Sequence, residues 1–473
     1  MKKVYTVSLL LLIIVATAFT ISRKKLPCNK PQQSSGYVID TLATGLVVPW
    51  QIRFLPDGTM LFTERAGRVR ILRNDKLIPK PVFIVPDVDA DRKMGLLGLA
   101  LHPDFKVNHF VYLANNYLDS AKMRLRVVRY TFRNDTLLAP LVIIKDIPAN
   151  QNHTGCRLIF GPDKKLYITS GDADQPARAQ SLRDYNGKIL RVNDDGSIPA
   201  DNPYVKNDTA FKQIWSYGHR NPQGLAFEPL TGVLFETEHG PTGGDEVNII
   251  KKGNNYGWPV IHHQDARPGM VTPLMEYSPS IGPSETMFYT GNAFPELRNK
   301  LLVACLRGEG ILSLTIKNDK IVDQQILFKK QFGRIRSLVT GPDGSIYVST
   351  SMIDPPESNK SAPYDMILRV RPNGVNHNFP AQNIAGNARR IITGTGPQAI
   401  YQQLCATCHG DKLQGTERAK SLLNSNYSYG SDKASIIKNI RDGITSKGMP
   451  AWNGAISAKD IEGIADYMIA KSK

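Results

Sequence analysis

The sequence is short of cysteine, which excludes a protein held together by disulfides. Only five occur in 473 residues, at Cys28, Cys156, Cys305, Cys405 and Cys408, whereas disulfide frameworks belong to much shorter chains. Cys156 and Cys305 lie in apolar or glycine-rich strand contexts, so we expect both to be small buried side chains. Apolar cores must therefore hold this chain together, and its length predicts about two to four domains.

The sequence also lacks any long run of one charge. Lys and Arg outnumber Asp and Glu by 59 to 42, which gives a net charge of +17, but the basic residues are scattered along the chain. Because nucleic-acid-binding proteins concentrate such residues in a patch or stripe, we expect no nucleic-acid partner. A solvated basic surface can instead meet an acidic redox partner or anionic lipid.

Only one long apolar run is present, in residues 1–35. The stretch MKKVYTVSLLLLIIVATAFTISRKK has a basic start and then an apolar run typical of a signal peptide. Ala16-Thr17-Ala18 is a candidate cleavage site, and an uncleaved membrane anchor is the alternative. Both interpretations predict that the rest of the chain is exported to the periplasm, either soluble or tethered to the membrane.

One strand–turn–strand phrase recurs through residues 36–371. Each copy has an apolar strand, a Pro-Asp or Pro-x-x-Gly turn and an alternating second strand. The turn prolines are Pro56, Pro103, Pro162, Pro229 and Pro342. The last interval is about twice the others, so we place a degenerate unit at RNKLLVACLRGEGILSL. Six such units predict an all-β six-bladed β-propeller, and a β-sandwich would not need the same phrase so often.

Two further regions follow the repeats. Residues 372–392 are rich in Asn, Gly and Pro without a consistent period, which indicates a linker. Residues 393–473 are helical in character, and Ser457 with Asp460 forms a capping pair near their end. An apolar stripe follows the cap, formed by Ile461, Ile464, Ala465, Met468 and Ile469. This pattern predicts a small all-α domain after the propeller.

The motif Cys405-Ala-Thr-Cys408-His409 predicts covalent haem c. Both thiols can add to the vinyl groups, and the adjacent imidazole can ligate iron. A thioredoxin-type pair would need a βαβ context, which is absent. Met449, in SKGMPAWNG, is the candidate sixth ligand, with Met468 a weaker alternative because it falls on the apolar stripe. The order of CATCHG, GMPAW and a capped helix resembles a class I-type cytochrome c domain over residues 393–473, which implies electron transfer and maturation outside the cytoplasm.

Five stretches of the propeller carry chemistry-bearing residues. They are MGLLGLALHPDF, NQNHTGCRLIFGPD, YGHRNPQGLAFEP, TEHGPTGGDEVNIIKKGNNYGWP and FGRIRSL. In order and spacing they resemble the soluble glucose/aldose sugar dehydrogenase family that depends on pyrroloquinoline quinone (PQQ), a six-bladed propeller. The resemblance spans about Tyr37 to Arg371 and implies an oxidoreductase that uses PQQ and Ca²⁺ to oxidise the C1 hydroxyl of an aldose-type sugar to a lactone.

PQQ carries three carboxylates, so its site needs cations. Arg334 and Arg336 alternate on a predicted strand and should point to one face, and paired guanidinium groups suit carboxylates. Arg220, Asn221 and Arg307 supply donors near the ends of other blades. The resemblance assigns all five to cofactor contacts, although Arg307 stands where the glucose enzyme has Lys. For each single Arg, the alternative is a solvated surface residue.

The Gly240-Pro241 turn offers hard oxygen ligands of the kind that Ca²⁺ prefers. The resemblance implies that the carbonyls of Gly240 and Pro241 hold the Ca²⁺ that contacts the quinone. It also implies a second, structural Ca²⁺ bound by Glu246 and the carbonyl of Tyr256. The alternatives are a glycine-rich surface loop, or acidic side chains paired with the lysines of IIKKG.

His153 is the candidate general base, because a neutral imidazole can take the proton of an anomeric hydroxyl. The resemblance places it in the catalytic loop and gives Asp172 the role of orienting it, while the eight other histidines are treated as structural. Three residues depart from the family pattern and leave the substrate open. Cys156 replaces a usual Gly in the catalytic loop, Asn152 stands where the glucose enzyme has Asp, and Lys93 stands where it has Gln near the substrate.

Together the patterns predict an exported quinohaemoprotein dehydrogenase that passes electrons from PQQ to its own haem c and then to a respiratory acceptor. One alternative is a non-catalytic propeller that binds glycans or a partner and displays a cytochrome. Another is the same machinery acting on a non-sugar alcohol or aldehyde. The retained base and arginines favour the enzyme.

Overall fold

The computed structural model describes residues 36–241, 243–263, 265–352, 364–374, 379–383, 396–416, 419–425, 427–444, 449, 452 and 457–472. The predicted signal peptide or anchor therefore lies outside the described residues. Within them, no helix combines the length and apolarity needed to cross a membrane.

The propeller region consists of six antiparallel sheets, and its first strand, β1 (Tyr37–Leu46), belongs to the last of them. The first blade contains β2 (Pro49–Phe54), β3 (Met60–Glu64), β4 (Arg68–Arg73), β5 (Lys76–Leu77) and β6 (Phe83–Ile84). The second contains β7 (Leu96–Leu101), β8 (Phe110–Asp119), β9 (Lys122–Arg133) and β10 (Thr136–Pro148). The third contains β11 (Leu158–Phe160), β12 (Leu166–Ser170), β13 (Lys188–Val192) and β14 (Ile214–Tyr217). A short helix, α1 (Phe105–Asn108), lies between β7 and β8.

The last three sheets complete the ring. The fourth blade contains β15 (Pro222–Phe227), β16 (Leu234–Glu238), β17 (Asp245–Ile250) and β18 (Met275–Tyr277). The fifth contains β19 (Pro283–Phe288), β20 (Leu301–Cys305), β21 (Gly310–Lys317) and β22 (Lys320–Leu327). The sixth contains β23 (Ile335–Thr340), β24 (Ile346–Thr350) and β25 (Asp365–Pro372), together with β1. The first strand of each sheet contacts that of the next, from β2 through β7, β11, β15, β19 and β23 back to β2. The predicted six-bladed propeller is confirmed, and β1 closes it by pairing with β25.

The degenerate repeat has a simple structural origin. Its segment spans β20 and β21, the second and third strands of the fifth blade, whereas the other copies of the phrase span the first two strands of theirs. The inner strand β19 is followed by a 3-10 turn, Pro295–Leu297, in place of a Pro-Asp turn. The doubled interval between prolines therefore reflects one changed turn within a complete blade.

The cores lie between blades, which explains why the strands read as apolar runs. Each blade is covered on both faces, and β3, β12, β16, β20 and β24 are buried at every residue. Cys156 and Cys305 are fully buried in such cores, as predicted. A polar residue in these strands is therefore also buried, which matters for the two glutamates of β16.

The propeller continues into the segment predicted as a linker. Residues 381–383 form β26 (Ala381–Asn383), which pairs with the outer strand β22. Just before it, the ring of Phe379 packs against the rings of Phe294 and Phe328, at centroid distances of 5.0 and 5.3 Å. A single aromatic anchor followed by a three-residue edge strand leaves no period in the sequence, so the pattern of residues 372–392 did not reveal it.

The C-terminal region is a small helical domain, as predicted. Its helices are α2 (Pro397–Leu404), α3 (Ala406–His409), α4 (Lys433–Asp442) and α5 (Ala458–Lys471). The Ser457 hydroxyl oxygen accepts the backbone N–H of Asp460 at the start of α5, and the apolar stripe of α5 packs into the domain core. Gly463 permits the close approach of α5 to α2, since a Cβ there would lie 2.7 Å from Pro397 Cγ.

Candidate active site and haem site

The predicted base and its partner meet in the structure. His153 lies on the loop between β10 and β11, and its Nδ1 is 2.7 Å from Oδ1 of Asp172, which is fully buried on the loop after β12. The same Nδ1 is 3.1 Å from a second carboxylate, Asp174 Oδ1, on the partly exposed edge of the site. The His153 side chain is 19% exposed, so its ring can meet a substrate while its Nδ1 faces the carboxylates.

The Asp172 carboxylate is fixed from three directions. Oδ1 accepts the backbone N–H of Asp174 at 2.9 Å as well as the imidazole, and Oδ2 accepts the indole N–H of Trp258 at 2.8 Å. A carboxylate facing Nδ1 selects the tautomer that carries its proton there. The Nε2 atom of His153 is then the one that can accept a proton.

Arg220 and Asn221 are held by one buried carboxylate. Their backbone N–H groups both donate to Glu238 Oε2 on β16, at 2.5 and 3.2 Å. The Arg220 Nη1 donates to the carbonyls of His239 and Gly240 at 3.0 and 2.8 Å. The carbonyl expected to face Ca²⁺ therefore also faces a guanidinium group, and burial lowers the pKa of Arg220.

The other predicted arginines belong to the same polar network. Arg336, buried on β23, donates through Nη1 to Gln223 Oε1 at 3.1 Å, and Gln223 donates through Nε2 to Asn221 Oδ1 at 3.3 Å. Arg334, one residue before β23, donates to the carbonyl of Leu306 at 3.3 Å, directly beside Arg307. The Arg307 side chain is exposed.

A half-buried histidine, His239, lies within the electrostatic reach of three of these arginines. The pKa of His239 lies well below its ordinary value, first because of burial and then because of Arg307, Arg220 and Arg336. Its Nε2 is buried and has no hydrogen-bond partner among the described residues. A neutral imidazole surrounded by guanidinium groups suits an anionic ligand with several carboxylates. The residues present therefore fit PQQ.

One face of the fourth blade is acidic. In register across its strands lie Glu238, Glu246 and Glu276, with Glu236 paired to Asn248. Within the described residues, the ion-pair partners of this face are histidines alone: His219 at 3.2 Å from Glu238 and His263 at 2.8 Å from Glu276.

This acidic face fits a bound cation. Glu236 Oε1 and Asn248 Oδ1 are buried and accept no hydrogen bond from any described group, which is costly unless a cation or proton satisfies them. Burial, and then Glu238, raise the pKa of Glu236 and Glu246 well above the usual range. Tyr256 lies beside the acidic face, and its ring stacks on the imidazole of His219 with 4.8 Å between the ring centroids. Oxygen ligands of this kind suit Ca²⁺, and Glu246 would hold it.

The structure contradicts the alternative in which the acidic side chains of this region pair with the lysines of IIKKG. Asp245 accepts hydrogen bonds from the Gly240 N–H, the Ser280 hydroxyl and the Gly282 N–H. Across the described part of the chain, neither Asp245 nor Glu246 forms an ion pair with a lysine. The Gly240 turn is also tightly packed, since a Cβ at Gly240 would lie 2.0 Å from the carbonyl oxygen of Gly243.

The four predicted haem residues line one cavity in the helical domain. Cys405, Cys408, His409 and Met449 all face a space of about 540 Å³. Its apolar wall comes from Tyr401, Leu404, Leu422, Ile436, Ile440, Trp452 and Met468.

The chemistry of these residues suits haem c. Burial lowers the pKa of His409, so its imidazole is neutral and able to ligate iron. Burial, and then Cys408, raise the pKa of Cys405 to about 12, so it is a thiol. Met449 is held by a two-hydrogen-bond bridge to Ile444, at 2.8 and 3.2 Å. The site therefore fits haem c, and Met449 lines the cavity as a candidate ligand, as does Met468.

Sequence reasoning missed several residues of these sites. Trp258, Glu238 and Gln223 contact the predicted residues directly, yet none carries a reactive group of its own. The only local signal was the Glu-Thr-Glu alternation of β16, which places two carboxylates on one buried face.

The fold and sites define a class of protein: a propeller dehydrogenase joined to a haem-binding helical domain. Residues 46–356 match the family model described as glucose / sorbosone dehydrogenase, so the chain belongs to this family of oxidoreductases. Residues 393–468 match the model described as cytochrome c oxidase, cbb3-type, subunit III, and form a cytochrome c domain.

Individual relatives agree with this assignment. The uncharacterized protein slr1608 of Synechocystis is 38% identical, over 68% of this chain and 85% of its own. The aldose sugar dehydrogenase YliI of Escherichia coli is 34% identical, over 66% of this chain and 89% of its own. The PQQ-bound aldose sugar dehydrogenase structure from Streptomyces coelicolor is 30% identical with a TM-score of 0.62, and covers 71% of this chain and 98% of its own.

Proposed function

We propose that this protein is an exported quinohaemoprotein that oxidises the C1 hydroxyl of an aldose-type sugar to a lactone, with PQQ and Ca²⁺, and delivers the electrons to its own haem c. The observation that carries the proposal is the buried Asp172 that fixes His153 beside a cluster of arginines. The family assignment makes a non-catalytic propeller the weaker reading.

The residues supply a proton acceptor and a binding site. With Nδ1 facing Asp172 at 2.7 Å, Nε2 of His153 takes the hydroxyl proton of the substrate. Arg220, Arg336 and Asn221 would hold the cofactor's carboxylates and carbonyls, and Arg307 and Arg334 would add two further positive charges for them. Bound PQQ would accept two electrons from C1, and Ca²⁺ at Gly240 and Pro241 would polarise it as a Lewis acid.

The haem domain supplies the first acceptor. Thioether bonds to Cys405 and Cys408 and ligation by His409 and Met449 would hold haem in the cavity they line, and the electrons would pass from it one at a time to a downstream respiratory acceptor. Residues 1–35 would export the chain to the periplasm as a signal peptide or anchor, where haem c is attached.

Internal haem reduction tests the proposal. The full chain carrying haem c is loaded with PQQ and Ca²⁺ and mixed without oxygen with aldoses, then with simple alcohols and aldehydes, while haem absorbance is followed. Aldoses should reduce the haem, and His153→Gln should slow this by roughly 100-fold or more at unchanged PQQ affinity. Reduction by alcohols alone would refute the sugar substrate, and no reduction by any of them would refute the enzyme.

A further inference from the structure

Trp258 touches both halves of the proposed active site with different parts of one ring. It lies in the GNNYGWP segment between β17 and β18. Its indole N–H, on the ring edge, donates to Asp172 Oδ2 at 2.8 Å. The ring face lies against Arg220, whose guanidinium carbon is 5.3 Å from the ring centroid.

The edge contact controls one oxygen of the carboxylate. Asp172 Oδ1 already accepts from His153 and from the backbone of Asp174. Among the described residues, Trp258 is the sole hydrogen-bond donor to Oδ2. Without the indole N–H, this buried oxygen would lose its partner and the carboxylate could rotate away from the imidazole.

The face contact supports a cofactor-binding cation. Arg220 is half-buried, and its Nη1 is directed to the carbonyls of His239 and Gly240. An aromatic face beside a half-buried guanidinium stabilises it and limits its rotamers. The Trp258 backbone is anchored independently, through its N–H to Gly218 and its carbonyl to Gln180 at 2.9 and 2.6 Å.

We propose that Trp258 is a positioning residue that aligns the His153–Asp172 base with its edge and the Arg220 cofactor contact with its face. The inference rests on the proposed function and adds a residue to it. Since a phenyl ring keeps the face and lacks the N–H, the two roles can be separated by substitution.

The test compares Trp258→Phe with Trp258→Leu in the full, haem-loaded chain. Trp258→Phe should slow sugar-driven haem reduction on the order of 10- to 100-fold, the usual effect of losing a hydrogen bond to a charged group, while the dissociation constant of PQQ stays within about 2-fold. Trp258→Leu should slow it equally and also weaken PQQ binding by about 5-fold or more.

Two controls separate positioning from general damage. Trp215→Phe makes the same change at an indole whose buried N–H has no partner among the described residues, so its rate should stay at the wild-type value. The double variant Trp258→Phe/Asp172→Asn should be no slower than Asp172→Asn alone, because both changes break one unit.

A wild-type rate for Trp258→Phe would overturn the inference, and so would equal PQQ weakening in both Trp258 variants or additive effects with Asp172→Asn. A wild-type protein that no substrate reduces would overturn the proposed function and the inference together. Wild-type activity with an unaffected Trp258→Phe would overturn the inference alone.

Discussion

Cys156 occupies a backbone conformation that suits glycine, in the loop that carries the proposed base. It is fully buried, and its φ is +81°. A non-glycine residue in the left-handed region costs about 1–2 kcal/mol, whereas glycine enters it freely. The family resemblance gave Cys156 as a replacement for a usual Gly, and the φ angle supplies the physical reason for that Gly.

Comparing Cys156→Ala with Cys156→Gly isolates this strain, because both variants lose the same sulfur and its contact with the Thr154 carbonyl at 3.4 Å. In an ordinary strand, glycine is roughly 0.5–1 kcal/mol less stable than alanine. Relief of about 1–2 kcal/mol at Cys156 should reverse that order. We therefore expect Cys156→Gly to exceed Cys156→Ala by roughly 0.5 kcal/mol in free energy of unfolding.

Urea unfolding of the propeller, followed by tryptophan fluorescence, measures the difference. Ala114→Gly, at a fully buried position of β8, is the matched control and should show the ordinary loss of stability. A Cys156→Ala variant that is more stable than Cys156→Gly, while the Ala114 control behaves as expected, would contradict backbone strain at Cys156.

The proposed haem and calcium sites give two further predictions. Met449→Leu should abolish the visible-absorbance signature of thioether ligation and lower the reduction potential of the haem. Met468→Leu, also at the cavity wall, should leave both properties unchanged. The opposite pattern would identify Met468 as the iron ligand. Because burial raises the pKa of Glu236 and Glu246 in the fold, cation-free protein should lose stability as the pH rises above about 4.5, and Ca²⁺ should restore it at pH 7. Melting temperatures with and without chelator test this prediction. Glu236→Gln should flatten the pH dependence of stability, whereas Glu228→Gln, at a half-buried position outside the acidic face, should not. Stability that rises with pH in chelator would contradict the prediction.

The architecture was largely predictable because the repeats are local. A strand, a turn and a second strand fit within about fifteen residues, so each blade signals itself independently of the others. What escaped prediction was non-local or aperiodic: the closure by β1, the edge strand β26, and the first strand of the fifth blade, β19, which is followed by a changed turn.

The candidate residues were predictable by type and their contacts were not. His153, Asp172 and the arginines stand out in the motifs because each can move a proton or bind an anion. Trp258 and Glu238 stayed hidden because they act only through contacts with other residues. Of the acidic face, only Glu246 was a candidate, through the family resemblance; its other carboxylates come from strands that lie apart in the chain.

The chemistry available to this protein can be read from its sequence: a haem-attachment motif, six strand-rich units, and basic and acidic side chains in recognisable segments. Which of these atoms meet depends on the folded arrangement of the blades. His153 follows the last strand of the second blade, Trp258 lies between β17 and β18 of the fourth blade, and Arg336 lies on the first strand of the sixth. A closed ring brings such segments of different blades together. The distances that make a base or a cation site are therefore set by ring closure, which depends on packing between blades rather than on any local pattern.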